Sequence, residues 1–433
     1  VKGGVEEGNR RRLLGWAASF GPGLLFLLSA VGPQDLVTNS IAGAQHGYRL
    51  IWVLVIAVGA RFIILESTAR YVIATGESLV VGCRRVGKWM VWLLFLAPLI
   101  KRHFAGLFHV VLLGVAADIL LPLPTPHSAV IWSLVSWALA FAVLYWGRYR
   151  FVEQVSKYAA VLLGGTLAAA AFLAQPDPVE IARGLLLPRL PEADGAFGSL
   201  IVLMGVVGGA AGSISNLKYG AFVHERGWRD PGRLREQRLD LLLSVSAMFV
   251  MLAAIQIAAA GALKPAGLTA EEVEDLAFVF AAVLGDAGRI LLAAGLWTAV
   301  FNNHVTSAAG YSLMQAESYH RYIRPSAVIE EQDTGRGAAH LPAYRWFLCY
   351  FTLGPLYVFF TDWKPVWLGL VNGAVGVVLL PATILVLLRL TSSKRVLGQY
   401  ANGPLSNAAM SILAAAAIFL AFQGAAELLS GSS

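Results

Sequence analysis

Gly32-Pro33-Gln34-Asp35 interrupts an apolar stretch that runs from 13 to 45, and Gly208-Gly209-Ala210-Ala211-Gly212-Ser213-Ile214-Ser215 interrupts a second one from 197 to 223. Proline removes a backbone donor and glycine loosens a helix, so each stretch should unwind at its middle and expose carbonyls and half-helix ends. Gly32, Pro33, Gly209 and Gly212 are the expected break positions. The residues before each break are alike, leucine-rich apolar runs that begin at a glycine, Gly23 in one and Gly198 in the other, and reach a valine-glycine, Val31-Gly32 and Val207-Gly208. The two breaks lie five segments apart, in the first and the sixth. With that odd spacing a repeat of five helices is inverted in the membrane, and a binding site falls between the broken helices. The alternative at each stretch is that the glycines merely let helices pack closely.

The rest of the chain is consistent with a membrane. Of its 433 residues, 57% are hydrophobic and only 14% are charged, against nearer 25% charged in soluble chains, and the mean hydropathy is +0.66. This composition excludes an ordinary soluble enzyme and a nucleic-acid binder. Spanning hydrocarbon takes about 20 apolar residues as helix, because backbone polar groups find no water in lipid. Eleven segments meet that length: 13–45, 49–73, 89–121, 128–147, 152–174, 197–223, 239–263, 287–316, 345–361, 364–389 and 404–429. The reading is therefore an all-α integral membrane protein. Its expected units are residues 1–174 (tail and first five-helix repeat), 175–389 (second, inverted repeat) and 390–433 (eleventh helix and C-terminal tail).

Orientation follows from Lys and Arg, which concentrate in cytoplasmic loops. With the N-terminus cytoplasmic, six of the 33 fall outside, namely Arg49, Arg183, Arg189, Lys264, Arg289 and Lys364. Four lie within segments (Arg61, Lys101, Arg102, Lys218), and the remainder are cytoplasmic. An odd helix count then puts the C-terminus outside. Cys83 and Cys349 are far apart and read as packing residues. No phosphate-binding loop for ATP is present in the sequence, no bound cofactor is expected, and the expected partners are the lipid bilayer and a transported solute.

At this level of detail the chain resembles the Nramp family of proton-coupled divalent-metal transporters. The resemblance rests on Gly21-Pro22-Gly23, on Ile41 through Tyr48 leading into Trp52-Val53-Leu54, and on Thr75-Gly76-Glu77-Ser78-Leu79. It continues through Gln175-Pro176-Asp177 with Arg183-Gly184-Leu185-Leu186, Gly295-Leu296 before Thr306, Leu380-Pro381 and Leu397 through Asn402. It implies a LeuT-like fold of eleven transmembrane helices in a bacterial inner membrane, with a divalent cation as transported substrate.

The motifs that the resemblance places at the binding site are changed. Where the family has Asp-Pro-Gly-Asn this chain has Gly32-Pro33-Gln34-Asp35, so the first ligand is gone and Asp35 stands in the asparagine's place. Where the family has Met-Pro-His-Asn the chain has Ser213-Ile214-Ser215-Asn216, while Ala210 matches the alanine whose carbonyl is a family ligand. Asp35, Ala210, Ser213 and Asn216 are thus the implied metal ligands, with Gln34, Ser215 and Lys218 as further substrate contacts. Loss of the methionine shifts the implied preference from soft transition metals to Mg²⁺, Ca²⁺ or Mn²⁺. Gly106 and His109 replace the family's third-helix Asp and Glu, and Gly220 replaces a histidine, so family-type proton coupling is not expected.

Charge argues in another direction. An ionised carboxylate in mid-membrane costs several kcal/mol unless paired or hydrated, which makes Asp35 the leading functional residue, although Asp also caps helix N-termini well. Arg61, Lys101, Arg102 and Lys218, with His103, His109 and His304 nearby, are opposed only by Asp35 and Glu66. Such an excess gives little attraction for a divalent cation and fits an anionic or zwitterionic solute instead. These residues form the expected charge or proton pathway, with Arg61 and Glu66 as candidate partners of Lys101-Arg102-His103. A scaffold that has lost transport and serves as a membrane sensor is the third reading.

Overall fold

The computed structural model describes residues 31–146, 164–165, 167–189, 198–225, 227–228, 230–268, 273–324, 341–361 and 363–430. All regular structure among them is helical: α1 (Pro33–His46), α2 (Ile51–Thr75), α3 (Leu79–Val86), α4 (Lys88–Leu120), α5 (Ser128–Tyr145), α6 (Pro178–Leu186), α7 (Ser199–Ala210), α8 (Lys218–Glu225), α9 (Leu234–Ala262), α10 (Val273–Ser318), α11 (Pro342–Leu353), α12 (Pro365–Thr391), α13 (Lys394–Leu397) and α14 (Pro404–Ser430).

Seven described stretches are long and apolar enough to cross a membrane, beginning at Ile51, Lys88, Ser128, Ser199, Pro231, Pro365 and Pro404. Each coincides with an expected segment. Of the other four, the first half of 13–45 and most of 152–174 lie outside the described residues. The segment 287–316 is a helix within α10, made less apolar by Asn302-Asn303-His304. The segment 345–361 is divided, because Gly354-Pro355 turns α11 into a 3-10 helix over Gly354–Phe360. Pro98 does not stop α4, which runs on for 33 residues, about 50 Å at the usual helical rise, and carries Lys101 and Arg102 inside.

α1 is wrapped by α9, α7 and α12, and α4 packs between α10, α5 and α12. The core between them is aliphatic, with Val37, Ile41, Leu54, Val202, Leu252 and Leu370 all buried. The opposite faces of the outer helices present Trp89, Ile100, Leu139, Val250, Leu405 and Phe422, a surface that lipid satisfies and water does not. α14 is peripheral and packs on α12: Met410, Ala414 and Ala417 are buried, Met410 against Ser67 of α2, while Ile412, Phe419 and Phe422 are exposed. Cys83 and Cys349 are both free thiols.

The second interruption is present, and at the first the described chain opens on the expected break, the residues before Val31 lying outside the described ones. Gly32 is extended (φ −100°, ψ 176°) and Pro33 opens α1 at a position where its missing N–H costs nothing. The second interruption falls slightly later than the glycine run suggested. Gly208 and Gly209 remain inside α7, so Gly209 is not a break residue. The helix unwinds over Ala211 to Ser213, where Gly212 takes φ +72°, and resumes as a 3-10 turn over Ile214–Leu217 before α8. The packing role of glycine holds alongside the break. A Cβ on Gly208 would overlap the Gly373 carbonyl oxygen, so α7 and α12 touch backbone to backbone.

Candidate functional site

Asp35 lies on the first turn of α1 and is buried. Its Oδ2 accepts from the Gly32 backbone N–H at 2.9 Å, so it caps its own half-helix. Its Oδ1 is buried with no hydrogen-bond partner and faces α7, so closely that a Cβ on Gly209 would overlap it. Gly209 is therefore where the two interrupted helices meet. Gln34, one residue before, accepts from Asn372 Nδ2 of α12 at 2.6 Å.

The basic side chains close round this point. Arg61 comes from α2 and donates through one guanidinium nitrogen to the Gly209 carbonyl at 3.2 Å and the Ala210 carbonyl at 3.4 Å, with Met248 Sδ of α9 also 3.4 Å away. The last carbonyls of α7 carry the negative end of its dipole, and the guanidinium neutralises them. Lys101 comes from α4 and donates to the Asn372 carbonyl and, at 2.9 Å, to the Asn372 side-chain oxygen. Two of its three donors are thus spent one residue-length from Gln34.

Other expected members stand apart. Lys218 turns to α10, donating to Ser307 Oγ at 3.1 Å and lying 4.7 Å from the centre of the Tyr311 ring. Arg102 donates to His304 Nδ1. The His304 ring rests 3.8 Å from the Trp137 ring centre and edge-on to His109 at 6.1 Å, which makes a second buried cluster between α4, α5 and α10. His103 leaves the interior, bonding Tyr357 at 3.2 Å and stacking on Tyr350. Glu66 partners neither Lys101 nor Arg102. It pairs with Arg70 at 3.2 Å and Arg238 at 2.8 Å, farther along α2 by more than a turn from Arg61, so the expected Arg61–Glu66–Lys101–Arg102 network is divided among three places: the centre, the His304 cluster and the Glu66 cluster.

At the second break Asn216 Nδ2 donates to the Ala211 carbonyl at 2.8 Å and holds the loop closed, and Ser215 hydrogen-bonds the Tyr311 hydroxyl. Ser213 Oγ and Asn216 Oδ1 are buried and unpartnered. The residues that sequence reading missed are Asn372, Met248, Tyr311 and Trp137. Asn372 was detectable as a lone amide in the apolar segment 364–389; the others look like ordinary core. Among the described residues no three His, Cys, Asp or Glu side chains come together as a metal-ion cluster.

A helix that opens at Gly32-Pro33 and one interrupted over Ala211 to Ser213 meet at a buried polar centre inside a helical membrane scaffold, the architecture of a polytopic transporter. The family model described as "Natural resistance-associated macrophage protein-like" matches residues 23–427, and the chain belongs to the Nramp family. One relative, the "Divalent metal cation transporter MntH" of Chromohalobacter salexigens, is 27% identical over 69% of this chain and 70% of its own. The manganese transporter of Eremococcus coleocola, crystallised with an aromatic bis-isothiourea compound, superposes with a TM-score of 0.71 at 17% identity, covering 93% of this chain and 84% of that one. Mhp1, a nucleobase-cation-symport-1 family transporter in a closed conformation with bromovinylhydantoin bound, superposes with a TM-score of 0.56 at 12% identity, covering 85% and 77%.

Proposed function

We propose that this chain is a secondary transporter working by alternating access about the two interrupted helices, and that its central site takes an anionic or zwitterionic small molecule. One observation carries the choice of solute. The Ala210 carbonyl, which the family resemblance assigns as a cation ligand, accepts from the Arg61 guanidinium. A fixed cation where a metal would bind, with Lys101 beside Gln34, repels a divalent ion more strongly than Asp35 alone attracts it. The remaining Lys101 donor suits a carboxylate or phosphate, the Arg61 charge adds attraction for that anion, and the unpartnered Asp35 Oδ1 suits an amine. Lys218 is replaced in this role by Lys101, because Lys101 bonds the Asn372 that also holds Gln34 at the first break, whereas Lys218 turns away to Ser307 and Tyr311 of α10. The fold is not confined to ions, since Mhp1 holds a hydantoin.

A divalent metal is the second reading, favoured by family membership and by Asp35 Oδ1, Ser213 Oγ and Asn216 Oδ1, three buried oxygens without partners. It would be a hard ion such as Mg²⁺, Mn²⁺ or Ca²⁺, moved without the family's proton route. Liposomes containing the purified protein separate the two. Uptake of amino acids or small organic anions that is lost in Lys101→Gln supports the first reading. Saturable Mn²⁺, Mg²⁺ or Ca²⁺ uptake that is lost in Asp35→Ala and retained in Lys101→Gln replaces it with the second.

A further inference from the structure

Beyond the C-terminal end of α1 lies a pocket of about 470 Å³ lined by His46, Arg49, Arg183, Arg189 and Lys264, with Glu180 its single carboxylate among the described residues. Glu180 is already committed to Arg183 at 2.6 Å, and Arg49, Arg189 and Lys264 make no ion pair among the described residues. His46 is only 6% exposed, and its Nε2 is buried without a hydrogen-bond partner. The pocket is built as well as charged: a Cβ on Gly184 of α6 would overlap the Tyr48 carbonyl oxygen, and Trp52 Nε1 donates to the Arg189 carbonyl at 3.3 Å. These contacts clamp α6 over the α1–α2 turn and bring the bases to one place.

The gathering is unexpected on this face. By the distribution of basic residues it is external, and Lys and Arg are disfavoured in short external loops. Yet four of the six placed there, Arg49, Arg183, Arg189 and Lys264, line this pocket. Orientation in the membrane does not explain them, and helix C-terminus neutralisation asks for one cation, not four. At the other end of α2 the bases are answered by Glu66; here only Arg183 is answered, by Glu180.

We propose that this pocket is an external receiving site for a small solute bearing a phosphate or comparable multiply charged oxyanion. It deepens the proposed function and rests on it for the transport step after binding. Asp35 lies about 16 Å farther in along α1, and the same sign of charge recurs there in Arg61 and Lys101, so an anion collected at the mouth moves towards a site of like sign.

Inorganic pyrophosphate is the probe, titrated calorimetrically into the full chain in phosphatidylcholine nanodiscs at low salt. The expected result is saturable binding, weakened at least tenfold by Arg49→Gln with Lys264→Gln, retained by Arg49→Lys with Lys264→Arg, and weakened by added salt. No saturable binding to folded protein, or equal binding by the neutral double variant, overturns the proposal. A second arm uses phosphatidylglycerol discs: binding that survives there assigns the site to a soluble anion, and binding blocked there assigns the same phosphate chemistry to a lipid headgroup and overturns the soluble occupant. Lys101→Gln keeps pyrophosphate binding at the pocket even where transport fails, so loss of the central reading and loss of this one are told apart.

Discussion

A charged side chain in the membrane interior has to be paired or hydrogen-bonded, and Arg61 meets that demand on the carbonyls of Gly209 and Ala210. Arg61→Ala strips a donor from buried acceptors, at about 1–3 kcal/mol for each oxygen left unsatisfied, so thermal unfolding in detergent should begin several degrees lower. The same variant should gain Mn²⁺ binding measurable by calorimetry, because it frees the Ala210 carbonyl beside Asp35 and removes the fixed positive charge. An unchanged melting temperature with no Mn²⁺ binding would contradict both the capping and the repulsion. Asp35 can be dissected in the same way. Asp35→Asn keeps an acceptor for the Gly32 N–H and removes only the charge, so it should hold stability within about 1 kcal/mol while abolishing uptake; Asp35→Ala also loses the cap, worth roughly 1 kcal/mol. If both variants lose stability equally and Asp35→Asn still transports, the carboxylate serves the helix alone.

Two elements translate those side chains into a movable structure. The linker between α7 and α8 depends on Gly212, whose φ of +72° costs an L-residue about 1–2 kcal/mol. Its missing Cβ would also sit 2.5 Å from Asn216 Oδ1. Gly212→Ala is therefore expected to displace Asn216 from the Ala211 carbonyl and to lower the melting temperature markedly, whereas Gly227→Ala, at φ +74° with open space around it, should pay only the backbone strain. At the far end of α2, Glu66 joins Arg70 and Arg238, and Arg70 reaches on to the Tyr400 carbonyl at 2.8 Å and Asn402 Oδ1 at 2.6 Å. Glu66→Gln breaks the ion pair that ties α2 to α9 and takes the counter-charge from Arg70, which itself holds the 398–402 turn, so thermal unfolding in detergent should begin several degrees lower than in the unchanged chain. The two interruptions were legible because proline and glycine act on the backbone wherever they stand. The exact turn was not, since Gly208 and Gly209 serve packing and only Gly212 needs positive φ. The charged residues were legible as a set, because charge in an apolar segment is conspicuous. Their partners were not, apart from Arg70 four residues on from Glu66: Arg61, Lys101 and Lys218, and Glu66 through Arg238, choose a neighbour from a distant helix, and spacing along one helix carries no information about that.

Across the whole molecule the charges separate into three levels along α2: the basic pocket near Ile51, the Arg61 and Asp35 centre, and the Glu66 cluster about 22 Å from Ile51 along the helix axis. A carrier of positive ions is served by acidic approaches that concentrate its substrate, and one of anions by basic approaches. The order of levels therefore has meaning only once the faces are assigned. The distribution of Lys and Arg predicts that the Arg49–Lys264 face is external and the Arg235–Arg238 face cytoplasmic. The chain is well suited to a labelling test, since Cys83 is fully buried and Cys349 can be replaced by Ser. In intact cells a membrane-impermeant maleimide should modify Lys264→Cys and leave Arg235→Cys untouched until the membrane is opened. The opposite pattern would turn the basic pocket towards the cytoplasm, where it would receive a solute for export, and the Glu66 cluster would become the outer closure. Pyrophosphate binding would be unaffected by that reversal, because it depends on the pocket alone, so the pair of measurements fixes both what the site holds and the side from which it is filled.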